Sequence, residues 1–538
     1  MREGIIRNPV LPGSHPDPSI LRVGDDHYLA TSTFEWFPGV RLHHSTDLVD
    51  WRPLGGALTD ARLLDLTGCP DSAGVWAPNL SYADGLFHLV FSNVSSYTGG
   101  FTDCPNLLVT APAIDGPWSD PVPLHARGFD ASLFHDGADS WLLNLVHDWR
   151  PGYGGSAGLE ATRYDRAARR LVGGPTPLEL LPPRAGWIEG PNLYRRGPWY
   201  YLLTADGGTG WEHRVTVARS RALAGPYERD PHGPLVTARD RPDLPLQKAG
   251  HGSLMEAADG RWWLAYLVAR PLGRRGPCVL GRETALAPVE WTADGWPRVP
   301  TGLPATAVHL TTPPTGRPDP HPHPQQPDRD DFDRPTLGPA WSTLRRPATA
   351  DWLSLTERPG RLRVRGGRSP QSLVGPSLVA RRMTAPRCSF TAEVEFRPRS
   401  FQQLAGVTAY YNTLNWYFLH VTADDAGRRV LRLASSDRGA VRFEEAADAV
   451  LADDAVPRLG VDVDGGELRF RHRVDAAWRP FGPVLDATVL SDEHAEQIEH
   501  GVIRAMGFTG AFLGLWVWDL TGGALPADFG RARYESRP

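Results

Sequence analysis

The stretch His15-Pro16-Asp17-Pro18-Ser19-Ile20, continued by Leu21-Arg22-Val23, a turn at Gly24-Asp25-Asp26 and the run His27-Tyr28-Leu29-Ala30-Thr31-Ser32-Thr33, sets the plan of residues 1–310. It reads as a head residue, an apolar strand, a turn about seven residues after the head and a second strand rich in β-branched and aromatic residues. Four further units repeat it. Trp76 heads the second, with its turn at Ala83-Asp84-Gly85 before Leu86-Phe87-His88-Leu89-Val90-Phe91. Asp130 heads the third (turn His135-Asp136-Gly137), Glu189 the fourth (turn Arg195-Arg196-Gly197) and His251 the fifth (turn Ala258-Asp259-Gly260). The heads lie 54–62 residues apart. Hairpins repeated at that period are the signature of a β-propeller, here with five blades. The innermost strand of every blade starts at the same end of the central channel, so equivalent heads converge on the axis. Asp17, Asp130 and Glu189 are thereby expected in one pocket. Acidic residues also favour hairpin turns, because Asp caps a turn through its side chain. These three precede their strands and stand outside the turns.

The chain has 538 residues, 41% hydrophobic and 22% charged, with a net charge of −5. That length predicts more than one domain, and that charge argues against nucleic acid as a partner. No apolar run approaches a membrane span, and the opening Met1-Arg2-Glu3-Gly4-Ile5-Ile6-Arg7 has no signal-peptide core. Cytoplasmic residence, with no membrane partner, is the expectation. The four cysteines, Cys69, Cys104, Cys278 and Cys388, have no CxxC spacing and read as reduced and structural. The Pro-rich segment 311–328 is a stiff connector, and its His321 and His323 read as solvated linker residues rather than metal ligands. Residues 329–538 alternate apolar and charged positions, as in Arg361-Leu362-Arg363-Val364-Arg365 and Glu467-Leu468-Arg469-Phe470-Arg471. Such strands have one wet and one dry face, and two such sheets make a β-sandwich. Helical evidence is thin, its best stretch being 492–504. The fold class is all-β: a propeller over 1–310, a linker over 311–328 and a sandwich over 329–538.

Cleaving a glycosidic bond requires one carboxyl to protonate the leaving oxygen and another to activate water or attack the sugar. A third acid nearby raises a carboxyl pKa through like charge. Asp17, Asp130 and Glu189 supply such a set. Sugar rings also seek flat apolar surfaces, and the chain has 19 Trp. Most are expected to pack between blades. Phe34 and Trp76 are expected at the channel mouth instead. The glycines at 152, 154, 155 and 158 read as loop glycines, since no Gly-Lys-Ser/Thr follows them.

Together, Asn8-Pro9-Val10-Leu11, His15-Pro16-Asp17-Pro18-Ser19-Ile20, Ser32-Thr33-Phe34-Glu35-Trp36-Phe37-Pro38-Gly39-Val40, Gly128-Phe129-Asp130-Ala131-Ser132, Glu189-Gly190-Pro191, Gly250-His251-Gly252-Ser253 and Leu280-Gly281-Arg282-Glu283-Thr284 resemble the β-xylosidases of glycoside hydrolase family 43. The similarity runs on through Ser400-Phe401-Gln402-Gln403 and Ala524-Leu525-Pro526-Ala527-Asp528-Phe529. It implies an exo-acting, inverting hydrolase removing terminal β-1,4-linked xylose from short xylo-oligosaccharides, on a five-bladed propeller with a C-terminal concanavalin-like sandwich. α-L-Arabinofuranosidase activity is the alternative. By the same resemblance Asp17 is the general base, Glu189 the general acid and Asp130 the residue that orients Glu189 and raises its pKa. Arg282 holds substrate hydroxyls, and Phe508 reaches from the sandwich over the pocket and makes it blind. His251 is implied at the channel floor, read as a channel histidine, with a structural calcium near the axis as the alternative; no cofactor is required. A homo-oligomer, dimer or tetramer, is a further expectation. Two departures, the stretch 148–156 and a shortened loop between Leu272 and Cys278, leave the sugar open but not the reaction class. A sugar-binding propeller without catalysis is the reading from another class, disfavoured by the intact acids.

Overall fold

The structure, a computed structural model, describes residues 4–98, 101–150, 152–153, 155–181, 187–310, 328–444, 448–500 and 502–537. The connector predicted at 311–328, with His321 and His323, falls outside the described residues except for Asp328.

Five sheets form the blades. Their innermost strands are Ser19–Val23, Gly74–Ala83, Ser132–Asp136, Ile188–Arg196 and Gln247–Glu256, and they contact one another in cyclic order around the axis. The N-terminal segment lies beside blade five. Leu11 bridges Thr284, and Asn8 Nδ2 donates to the Leu286 carbonyl at 2.8 Å. Ile5–Arg7 pairs with Ala307–His309, which ties the two ends of the propeller together.

One backbone feature recurs in every blade. Asp17, Ala77, Asp130, Gly190 and His251 have φ of 56°, 28°, 56°, 58° and 36°, a left-handed residue shortly before the inner strand in blades one and three and within it in blades two, four and five. The true fivefold positions in blades two and four are therefore Ala77 and Gly190, one residue beyond the heads expected at Trp76 and Glu189. The inner strands change register around these residues, between Trp76 and Asn79, between Glu189 and Asn192 and, in blade five, on either side of Gly250.

Two residues past each left-handed position stands a polar side chain: Ser19, Asn79, Ser132, Asn192 and Ser253. Each bonds to the next blade. Ser19 Oγ accepts from Leu80 N at 2.9 Å, Asn79 Oδ1 from Leu133 N at 2.9 Å, and Ser132 Oγ donates to the Pro191 carbonyl. Asn192 Nδ2 donates to the Gly252 carbonyl at 3.3 Å, and Ser253 Oγ donates to the Pro18 carbonyl at 2.8 Å. This belt of hydrogen bonds closes the ring of blades at its centre, where the backbone leaves its own ladder and needs partners.

The C-terminal unit is two packed sheets whose shared core includes Leu362, Phe390, Val407, Leu419, Phe470, Leu513 and Phe529, all at most 1% exposed. Its larger sheet takes in a propeller segment: Trp36–Phe37 pairs with Trp341–Leu344, and Trp36 stacks on Phe512 at 4.0 Å between ring centres. The helix anticipated over 492–504 is a single turn, Asp492–Ala495; the chain then forms a hairpin of Gln497–Glu499 with Val502–Ala505. β-Branched Ile498, Val502 and Ile503 at these positions favour strand over helix.

Candidate active site

The left-handed turns aim side chains into the channel. Asp tolerates this conformation because its short polar side chain finds local partners, and Asp17 Oδ2 accepts from Ser32 Oγ at 2.6 Å. Asp130 Oδ2 accepts from Gly190 N at 3.1 Å. Glycine is required at 190 both by its positive φ and by crowding, since a Cβ there would lie 3.0 Å from His251 Nε2. With the left-handed position at Gly190, the Glu189 carboxyl stands one residue back, where Trp187 Nε1 donates to its Oε2.

The sequence-derived candidates Asp17, Phe34, Trp76, Asp130, Glu189, His251, Arg282 and Phe508 all line one cavity of about 530 Å³. His251 Nδ1 is 3.6 Å from Asp17 Oδ1 and 3.9 Å from Asp130 Oδ2, and Arg282 Nη1 is 3.7 Å from Asp17 Oδ1. The three acids are 6–8% exposed, and burial dominates the electrostatics of Glu189 and Asp130. It pushes Glu189 up to about 7, aided by the Asp17 charge and opposed by the Trp187 N–H and Arg282. Burial, then Glu189 and Asp17, hold Asp130 well above the usual carboxylate range. The leading cause of the shift at Glu189 is thus desolvation, where the sequence had suggested like charge from Asp130. Burial also lowers His251, against the Asp17 charge that raises it.

The sandwich forms one wall. Phe508 sits 5.9 Å from Phe34 and 5.8 Å from Trp76 between ring centres, and the Arg282 guanidinium lies 4.5 Å over its ring. Ser72 fixes that loop from the propeller side: its Oγ donates to the Met506 carbonyl and accepts from Phe508 N, while its own carbonyl takes the Trp76 indole N–H. Ile503 and Met506 extend this apolar wall. Opposite, the 148–156 stretch supplies Asp148, Trp149, Arg150, Gly152 and Gly155. Gly155 is more than a loop glycine. A Cβ on it would meet the Trp187 ring at 2.2 Å, so its absence lets Trp187 lie where it can hold Glu189. Sequence reasoning had not placed Phe129, His147, Ile503 or Met506 in the site. Phe129, next to Asp130, was open to that inference; Ile503 and Met506 arrive through interdomain packing that no local pattern records.

A calcium ion at the axis would occupy a space of about 10 Å³, about one water in size, bordered by Asp17, Asp130, His251, Ser19, Asn79, Ser132 and Asn192. Calcium takes six to eight oxygens, and Ser19, Asn79, Ser132 and Asn192 already serve the blade-to-blade belt. Among the described residues no group of three His, Cys, Asp or Glu side chains is disposed to hold a metal.

A propeller whose axis carries three buried carboxyls, one with its pKa near neutrality, flanked by aromatic walls and a fixed guanidinium, defines a glycoside hydrolase. Residues 6–297 match the Glycosyl hydrolases family 43 domain, and residues 329–535 match the β-xylosidase C-terminal concanavalin A-like domain. The chain belongs to glycoside hydrolase family 43. It is 41% identical to a xylan 1,3-β-xylosidase of a Vibrio species, over 98% of this chain and 99% of that one. It is 35% identical to a non-reducing end α-L-arabinofuranosidase of Bacteroides ovatus, over 97% and 93%. The structure of xylan β-1,4-xylosidase from Bacillus halodurans C-125 superposes with a TM-score of 0.92 at 44% identity, covering 99% of this chain and 100% of that one.

Proposed function

We propose that the protein is an exo-acting β-xylosidase that releases terminal β-1,4-linked xylose from short xylo-oligosaccharides with inversion of configuration. The observation that carries this reading is the convergence of Asp17, Asp130 and Glu189 in a cavity that a sandwich loop walls at Phe508. A pocket closed on one side takes a chain end and not its middle. Glu189, buried and raised to about 7, keeps its proton near neutral pH and donates it to the leaving oxygen. Asp17 takes a proton from the attacking water, its carboxylate held in place by the Ser32 hydroxyl. Asp130 orients the Glu189 segment through Gly190 N. Arg282, braced against Phe508 and close to Asp17, presents a rigid set of donors to the hydroxyls of the terminal sugar.

α-L-Arabinofuranosidase activity is the second reading, favoured by the relative that bears that name and by a furanose presenting similar hydroxyls to the same donors. A dimeric or tetrameric assembly working in the cytoplasm belongs to the first reading; light scattering and cell fractionation test it. The decisive experiment is time-resolved proton NMR of the hydrolysis of β-1,4-xylobiose, with the β-1,3-linked isomer and an α-L-arabinofuranoside in parallel. α-Xylose appearing before mutarotation is the expected result. β-Xylose appearing first would make one carboxylate a nucleophile and overturn the assignment of Asp17 as base. Faster turnover of the arabinoside would move the second reading to first place.

A further inference from the structure

Two arginines are buried at the seam between propeller and sandwich with no carboxylate among the described residues in ion-pair contact with them. Arg41, on the blade-one strand Gly39–Ser45, is 3% exposed, and Arg382, ending the sandwich strand Leu378–Arg382, is 8% exposed. They converge on one hydroxyl: Ser342 Oγ accepts from Arg41 Nη2 at 2.8 Å and from Arg382 Nη1 at 3.3 Å. Their remaining acceptors are neutral carbonyls. Arg41 donates to the carbonyls of Pro339 and Trp341, and Arg382 to that of Ser14. Two other buried arginines are balanced by carboxylates: Arg345 pairs with Asp71 and Arg214 with Asp206.

The surroundings add no negative charge. His15 and His43 lie beside the pair, with their rings 4.8 Å apart, and burial together with the two guanidiniums lowers both well below the usual imidazole range. Burial likewise lowers Arg41 and Arg382, and no acidic group counters it at either. Polar atoms are left over. Arg41 Nε and His43 Nδ1 are buried without a hydrogen-bond partner, the first always a donor and the second a donor in its Nδ1–H tautomer. A guanidinium cannot shed its proton to escape this cost, and an unpaired buried charge is expensive.

We propose that Arg41, Arg382 and His43 form a binding site for a small inorganic monoanion of the halide class, which bridges the propeller and the sandwich. A monatomic anion accepts N–H donors from any direction, which suits groups arriving from two domains. A single charge also loses less hydration on burial than a phosphate dianion. Bound there, the anion offsets one of the two positive charges and supplies acceptors to the idle donors. The seam then depends on halide, and binding to the folded state alone raises stability by mass action.

The test is a bromide soak of crystals of the full-length protein, with anomalous data collected at the bromine edge. A peak within hydrogen-bond distance of the Arg41 and Arg382 guanidiniums is expected; no peak there, or peaks only at the surface, overturns the proposal. In solution, protein dialysed into sodium gluconate should gain several degrees in Tm, saturably, on exchange into bromide at matched ionic strength. Arg382→Met should lose that gain. An equal Tm in the two salts overturns the proposal, and should Arg382→Met not fold, the wild-type soak and salt comparison still decide it.

Discussion

Glu189 concentrates the chemistry of the site in one carboxyl. Its pKa is raised to about 7 first by burial, while the Trp187 indole N–H pulls it back. A general acid must carry its proton, so kcat/KM should fall as pH rises through about 7. Removing the indole donor in Trp187→Phe takes away a stabiliser of the charged form. The falling limb of the pH profile should then move to higher pH; a limb that stays or moves lower would show that Trp187 does not tune this acid. Glu189→Gln should lose about 10²–10⁴ in kcat, the usual contribution of a general acid, while isothermal titration still detects xylose-terminated ligand. That Asp17, Asp130 and Glu189 share one pocket was legible because they precede their strands at a repeated interval, while their separate roles rest on the resemblance to family 43. The indole contact was not legible: Trp187 stands two residues before Glu189 in the chain, but the room for its ring beside the acid comes from Gly155 on another blade.

At the scale of elements, the blade heads and the belt beneath them form one construction. The left-handed residue aims a side chain into the pocket, and the polar residue two further on ties that blade to its neighbour. Asn79 serves twice, accepting from Leu133 N at 2.9 Å and donating to Asn192 Oδ1 at 3.1 Å. Asn79→Ala leaves both groups buried and unpaired, which costs about 1–3 kcal/mol for each group so left. Urea unfolding should show that loss. The loop Gly507-Phe508-Thr509-Gly510 contributes to binding rather than to chemistry. Phe508→Ala should raise KM for xylobiose well beyond any change in kcat, and an unchanged KM would remove Phe508 from the pocket wall in solution. The offset of Glu189 from the left-handed fivefold position at Gly190 was not legible, because a repeat read from sequence aligns residues of like chemistry rather than of like backbone.

Across the whole molecule, the two domains are welded rather than tethered. Trp36–Phe37 joins the sandwich sheet, Lys248 Nζ meets Glu493 at 2.6 Å, and Arg345 binds Asp71 at 2.7 Å while Asp71 also accepts from Thr413. Arg345→Met strands a buried carboxylate, with an expected loss of about 3–5 kcal/mol. Glu35 lies in the same seam, where burial raises it to about 8. Its folded pKa exceeds its unfolded one, so the stability it contributes is fully present below about 4.5 and is lost as pH rises through about 8. Glu35→Gln should therefore flatten the decline of unfolding free energy over that interval; a decline identical to wild type would place the titrating group elsewhere.

Local periodicity, turn chemistry and the spacing of the acids determined the fold class, the five blades, the sandwich and the identity of the pocket's carboxyls, since each is written in residues near one another along the chain. Tertiary structure decided the rest. Desolvation sets the Glu189 pKa, and desolvation is a property of everything packed around a group. Met506 and Ile503 reach the pocket, and Arg41 meets Arg382, because a β-ladder, an aromatic stack and ion pairs such as Lys248–Glu493 and Arg345–Asp71 hold the two domains in a single register.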